Sequence, residues 1–300
     1  MTGPAGNWHY AERRHLRICR EATWGECPEQ PAWHTVPVFG DGFKLKAGDA
    51  HFSPDTEFGC CRRTVQLSHV RQVAGGLVVL AWPQAAGLLL EMALERDATD
   101  LRSYCMDYFT PADPRRYTGV MVDRLEISAH PPRWDAVFRF ELKARTEEAR
   151  PALVEGDFDY GDLSPVPFRF ERAAVTVSGT LLSSVEGLSV QVRNNLTAGP
   201  VRGGAVGFLI AGLRAVSVEL TLLDDAGTIG DAIRGDVAMS AEATMTHPEG
   251  HTLALSVPAL HPQTNPQEAE PGELARSLVH MEAGTDGAGR DITYELHLNG

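Results

Sequence analysis

The 300 residues carry 27 basic and 40 acidic side chains, a net charge of −13, and are 43% hydrophobic. That balance argues against a dedicated nucleic-acid binder, which needs a concentrated positive surface, and leaves ample apolar material for one large domain or two ordinary ones. Gly 29 and Pro 19 suit a turn-rich β protein, and the longest apolar run is far short of the ~20 residues a membrane helix requires.

Residues 1–60 read as an extended arm. Pro28, Pro31, Pro37 and Pro54 interrupt it, and only 18–28 suggests a short edge strand and turn. Its Trp8, Trp24, Trp33 and Phe39 need a surface to cover them, on this chain or on a neighbour. The start, MTGPAGNWHYAERRHLRICR, lacks the apolar core of a signal peptide, so the sequence reads as a cytoplasmic product.

Residues 62–94, RRTVQLSHVRQVAGGLVVLAWPQAAGLLLEMAL, are the organising stretch. Val65 and Leu67 alternate with polar residues, Gly75-Gly76 reads as a turn, and 77–82 reads as a strand buried on both faces. Pro83 stops that strand. A helix follows from Ala85, with Glu91 and Glu95 on its wet face. Residues 95–116 read as a long functional loop carrying Tyr104, Met106, Tyr108 and Phe109.

Residues 117–145 give the clearest hairpin. The alternation changes phase at Asp123-Arg124, the mark of a β-bulge, and the turn is 130–133. Ala136, Phe138, Phe140 and Leu142 share one face of the return strand, with Arg139, Glu141 and Lys143 on the other. Residues 147–167 are acidic and rich in Pro and Gly, a linker. Beyond it, strands are expected at 168–177, 184–195, 214–223, 239–246, 252–258, 276–283 and 291–298. The last two are expected to pair with each other across 284–289. A helix is expected from Ile229, Ala232, Ile233 and Val237. Strand, strand, helix thus occurs at 62–94 and again at 184–236, and RWDAVFRFEL (133–142) resembles RDITYEL (290–296). These matches suggest a tandem duplication with halves 61–146 and 168–300.

No catalytic constellation emerges. The GxSxG, P-loop and GxGxxG patterns are missing. His247 and His251 lie in HPEGH, where Pro and Gly impose a turn, so the two imidazoles need not share a face. Glu155, Asp157, Asp159 and Asp162 lack the EF-hand pattern. Cys19, Cys27, Cys60, Cys61 and Cys105 are odd in number and fit neither a disulfide framework nor a structural zinc site, so they read as reduced thiols. No catalytic, cofactor-binding or metal residue is therefore expected. The remaining alternatives are a soluble binding or baseplate-type module using Tyr104–Phe109 on a carbohydrate or protein, and, more remotely, a hydrolase around His247 and His251.

Four stretches, in order, resemble the larger type of tail tube (major tail) protein of long-tailed bacteriophages. They are REATWGECPEQP (20–31), the 62–94 unit, YTGVMVDRLEIS (117–128) and LSVQVRNNL (188–196). The resemblance implies a mainly β fold, a β-sandwich or half-barrel with a flanking short helix, repeated in tandem. It implies rings stacked into a hollow tube that conducts genome DNA, in a virion made in the host cytoplasm. Partners would be further copies of the chain and the tape measure, tail terminator and distal tail proteins, with no cofactor. Two-copy members of the family form trimers of pseudo-sixfold symmetry, so the suspected duplication favours a trimer over a hexamer.

Overall fold

The computed structural model describes residues 14–299 apart from 39–41, 52–54, 59–60, 65–68, 98–99, 133, 162, 165, 183–184, 201–205, 224–236, 265–266, 269–275 and 285–290. In the first half the strands are β1 His15–Arg20, β2 His34–Val36, β3 Phe43–His51, β4 Asp55–Phe58, β5 Cys61–Thr64 and β6 His69–Leu80. Helix α1, Pro83–Leu94, comes next, then β7 Arg96–Asp97, β8 Asp100–Leu101, β9 Tyr104–Phe109, β10 Arg115–Ala129, β11 Val137–Ala144 and β12 Thr146–Ala149. The second half has β13 Ala173–Val177, β14 Thr180–Leu182, β15 Val185–Arg193, β16 Thr197–Pro200, β17 Val206–Ile210 and β18 Ala215–Leu223. It ends with β19 Met239–Thr246, β20 Thr252–Thr264, β21 Gln267–Glu268, β22 Arg276–Ala283 and β23 Thr293–His297.

One antiparallel sheet crosses the whole molecule in the order β3-β6-β11-β10-β15-β18-β22-β20. Its rows alternate in character because side chains alternate along each strand. The row Val79, Phe138, Ile127, Val190, Val218, Met281 is buried throughout. The neighbouring row Val78, Arg139, Glu126, Gln191, Ser217, Glu282 faces outward. The apolar face is covered by a second layer, to which β10 and β20 both contribute their first halves. β10 there pairs with β9 and β12, and β20 with β19 and β23. The result is a mainly β sandwich with α1 inserted at its flank. Pro83 occupies the first turn of α1, where its missing N–H costs nothing.

The pairing pattern occurs twice. β1 pairs with β2 and β9, as β13 pairs with β14 and β19. β3 pairs with β6 and β6 with β11, as β15 pairs with β18 and β18 with β22. β10 meets β9, β11 and β12, as β20 meets β19, β22 and β23. Eight strands of each half therefore correspond in their pairing, and the halves join through β10 and β15; β7, β8 and β21 have no counterpart among the described pairings. The match of 133–142 with 290–296 is corrected by this topology: β11 corresponds to β22, and β23 corresponds to β12. The expected second helix falls within 224–236, outside the described residues; Val237 follows it without helical structure.

Several expectations change. Gly75 and Gly76 lie inside a continuous β6 rather than in a turn. A Cβ on Gly75 would overlap the carbonyl oxygen of Lys44 on β3, so the glycine serves a close backbone approach. The stretch 77–82 is not buried on both faces, since Val78 is 36% exposed. The expected arm supplies core strands from His15 onward, and Leu16, Ile18 and Val36 are fully buried. The expected loop 95–116 contains β9, an interior strand between β1 and β10. β23 pairs with β20, not with β22. The 117–145 hairpin stands as expected, with its bulge between Val122 and Arg124 and its turn at Pro131 and Pro132; residue 133 lies outside the described residues.

Candidate functional site

The outward face of the large sheet carries an organised set of charges. Arg124 Nη1 donates to Glu141 at 3.0 Å and lies 3.6 Å from Glu126 through Nη2. Arg139 donates to Glu126 at 3.3 Å and to Ser128 at 2.5 Å. Lys143 pairs with Asp123 at 2.9 Å, and Arg193 donates to the Gln191 side chain at 2.6 Å. Cross-strand register places these groups side by side on β10, β11 and β15. Towards β18 and β22 the face dips into an open depression of about 420 Å³, with Ser189, Gln191, Ser217, Glu219, His280 and Glu282 among its lining.

Behind that face the Asn194-Asn195-Leu196 sequence ties the layers together. Asn194 is fully buried. Its Nδ2 donates to the carbonyls of Ala93 and Val122, and its Oδ1 accepts from Arg96 and Arg214. Arg214 also donates to the Leu94 carbonyl at 2.6 Å and pairs with Asp291. The last carbonyls of α1, which have no partner within the helix, are thus satisfied from the second half of the chain. Leu196 N–H donates to Asp123 Oδ1, which fixes the bulge. The hairpin β16–β17 follows, and it and its exit expose Phe208, Ile210 and Leu213, the last by 91%.

A groove of about 700 Å³ runs along the outer edge of β3, between residues 43–47 and Tyr108, Thr110, Arg115, Tyr117 and Glu147. Among the described residues β3 pairs only with β6. At its outer edge Leu45 C=O accepts from Tyr117 Oη at 2.7 Å, and Ala47 N–H donates to Glu147 at 2.8 Å. In the second half the corresponding edge, that of β15, is filled by β10.

The residues singled out for other chemistry have structural roles. His247 and His251 do face each other, ring centroids 5.2 Å apart, because the turn between them closes the β19–β20 hairpin. His247 uses Nε2 on the Val166 carbonyl and Nδ1 on the Glu249 N–H, while His251 Nδ1 accepts from Asn299 N–H. In the acidic linker Asp157 accepts from Val154 N–H and Asp159 from Gly161 N–H, both local turn contacts; Asp162 lies outside the described residues. Tyr104 is fully buried, and burial beside Glu91 pushes its phenol well above the usual range, whereas Tyr108 of the same stretch lines the groove beside β3. Asp107, also fully buried, accepts from Arg17 and Arg116, whose guanidinium groups lie 4.5 and 5.6 Å from the Trp33 ring. Trp24 lies against Arg145. These two arm tryptophans are therefore covered by their own chain; Trp8 and Phe39 lie outside the described residues. The thiol expectation is corrected as well: Cys27 and Cys105 form a disulfide, while Cys19 is free and buried. Their pairing comes from β1 and β9 being neighbours, which Cys spacing does not reveal.

Among the described residues no helix is long and apolar enough to cross a membrane. A search of curated proteins gives no significant match. The family described as phage tail tube protein matches residues 11–295, nearly the whole chain. The chain therefore belongs to the phage tail tube protein family, a structural component of the virion tail.

Proposed function

We propose that this chain is the repeating subunit of a hollow tail tube, assembled as stacked rings of three chains, through which genome DNA is delivered. The observation that carries the ring is the join between the two halves. β10 of the first half fills the edge of β15, whereas among the described residues the corresponding edge of β3 has no strand and borders an open groove. The strand corresponding to β10 is β20, whose last residues pair with β22 on one side. Docking β20 of one chain against β3 of the next would repeat the internal join. A head-to-tail contact of this kind closes into a ring, and three chains of two units give six similar wall segments. Tyr117 and Glu147 hold the outer groups of Leu45 and Ala47 until a neighbouring strand replaces them.

The outward face of the large sheet is assigned to the bore, with strands β10 and β11 in the wall. DNA is retained by cations that neutralise phosphates, and each such contact adds affinity. Here Arg124, Arg139 and Lys143 are engaged by carboxylates of the same face. Lys44 and Lys46 are exposed on β3 in the same outward rows as Glu141 and Lys143, so this face carries them near its edge, beside the engaged charges. The net charge of −13 acts against DNA retention. Phe208, Ile210 and Leu213 supply apolar surface for the next ring or for tape measure, terminator and distal tail proteins. The chain is read as two tube-fold units joined by 147–167, made in the host cytoplasm; no catalytic step belongs to this reading.

The test is Thr110→Trp, which fills the groove from its outer wall. The purified variant should keep the circular dichroism and melting of the parent and form no rings or tubes by negative-stain microscopy. Tubes of normal appearance would overturn the assigned contact.

A further inference from the structure

Three cysteines from separate segments converge at one place in the first half. Cys19 lies on β1, Cys105 directly opposite it on β9, and Cys27 on the connection that follows β1. The three sulfurs lie within 4.8 Å of one another. Cys27 and Cys105 are bonded and Cys19 is free. Cys19 and Cys105 are buried, whereas Cys27 is half-buried.

We propose that Cys19, Cys27 and Cys105 form a thiol–disulfide exchange site, in which the bond moves between Cys27–Cys105 and Cys19–Cys105. In the exchange the Cys19 thiolate attacks the Cys105 sulfur. The Cys19–Cys105 bond forms as the Cys27–Cys105 bond breaks, and the electron pair leaves on Cys27. Cys27 then takes up the proton that Cys19 gave to solvent. One disulfide and one thiol are present before and after, so no oxidant is needed. Attack on Cys105 is the favoured direction because the leaving thiolate, Cys27, is partly hydrated. Attack on Cys27 would instead expel a thiolate at the fully buried Cys105. A metal ion held by three thiolates would leave net negative charge beside Asp107 and Glu21, both of which act on Cys19, whereas a disulfide is neutral.

The groups around Cys19 set its rate. Burial, then Asp107 on β9 and Glu21 at the end of β1, push its thiol up to about 12, while Arg116 on β10 and the Cys105 backbone pull the other way. At neutral pH only about one thiol in 10⁵ is then ionised, so the observed pairing persists, and exchange should accelerate about tenfold per pH unit. The consequence is a releasable tether. With the bond on Cys27, the connection carrying Trp24 and Trp33 is fastened to β9. With the bond on Cys19, that connection is freed and a half-exposed Cys27 thiol becomes available to a reagent or another chain.

The experiment uses the full-length, unreduced protein with Cys60→Ser and Cys61→Ser, treated with N-ethylmaleimide at several pH values and mapped without reduction. The expected result is labelling of Cys27 together with a Cys19–Cys105 cross-linked peptide, increasing with pH, and no Cys27 labelling in Cys19→Ser or Cys19→Ala. Labelling of Cys19 with Cys27–Cys105 intact would overturn the proposal. So would equal Cys27 labelling in either Cys19 variant, or three alkylated cysteines in the untreated fold. Tube formation is not part of this readout, so the outcome is separate from the assembly reading.

Discussion

Asn194 Nδ2 donates to the Ala93 carbonyl at 2.9 Å, joining the end of α1 to a strand connection 101 residues later in the chain. The same amide reaches Val122, and its oxygen receives Arg96 and Arg214. The two halves thus share one buried polar junction, and the junction lies directly behind the charged face. Asn194→Ala leaves two buried carbonyls and two guanidinium donors without this partner. The expected loss is about 2–4 kcal/mol, read as a lower urea midpoint with unchanged slope. A change below about 0.5 kcal/mol would mean that water replaces the amide without penalty.

Gly75→Ala tests the close approach of β3 to β6. The new methyl would meet backbone at Lys44, which cannot swing aside like a flexible side chain. Misfolding or a loss of several kcal/mol is expected, on the scale of severe overpacking. Gly156→Ala is the control, because a Cβ there meets nothing within 4 Å. Its melting temperature should stay within a degree or two of the parent; equal effects at both sites would remove the explanation.

His15 gives the fold a pH dependence of known sign. Burial lowers its pKa, with Glu155 opposing the shift, and its ring sits beside Tyr160, Phe109 and Phe158. The unfolded chain therefore binds the proton first as pH falls, and stability is lost below the ordinary histidine value of about 6.5. The decline levels off once the folded-state value is passed. Denaturant titrations from pH 8 to 5 should show a smaller loss for His15→Phe than for the parent. Identical pH profiles would show that His15 does not carry this dependence.

Charge reversal on the sheet face tests the bore assignment. Glu126→Lys with Glu141→Lys removes the carboxylates that engage Arg124 and Arg139 and adds two cations. Stability should change little, since exposed pairs are worth about 0–1 kcal/mol each. Assembled tubes of the variant should retain duplex DNA, with a log–log salt slope of about −3 to −4 for four phosphate contacts, where the parent shows none. DNA retention by the parent would contradict a non-adhesive wall.

The sequence made some of this legible and hid the rest for physical reasons. The β10–β11 hairpin was readable because one face is buried and one is wet, so alternation survives, including the phase change at the bulge. β9 was hidden by Asp107, a buried carboxylate whose charge suggests a surface until Arg17 and Arg116 are seen on the flanking strands. Gly75-Gly76 was misread because glycine marks either a turn or a close approach, and only the partner strand decides. Asn194 stood out in a family-like motif, yet its contacts lie 20 to 101 residues away. The suspected repeat aligns 133–142 with 290–296, whereas the pairing pattern sets β11 against β22 and β12 against β23, and a seven-residue match is weaker evidence than a repeated ladder of pairings. The groove beside β3 has no sequence signal, because only pairings define it: among the described residues β3 pairs with β6 alone, whereas β10 fills the corresponding edge of β15.

The central claim is that one chain supplies two of six wall segments. A cryo-electron microscopy cross-section of assembled tubes tests it directly by counting chains and strand connections within a ring. The prediction is three chains per ring, six similar segments, and continuous density from β20 of each chain to β3 of the next. Six chains per ring, or three chains joined through other edges, would contradict it.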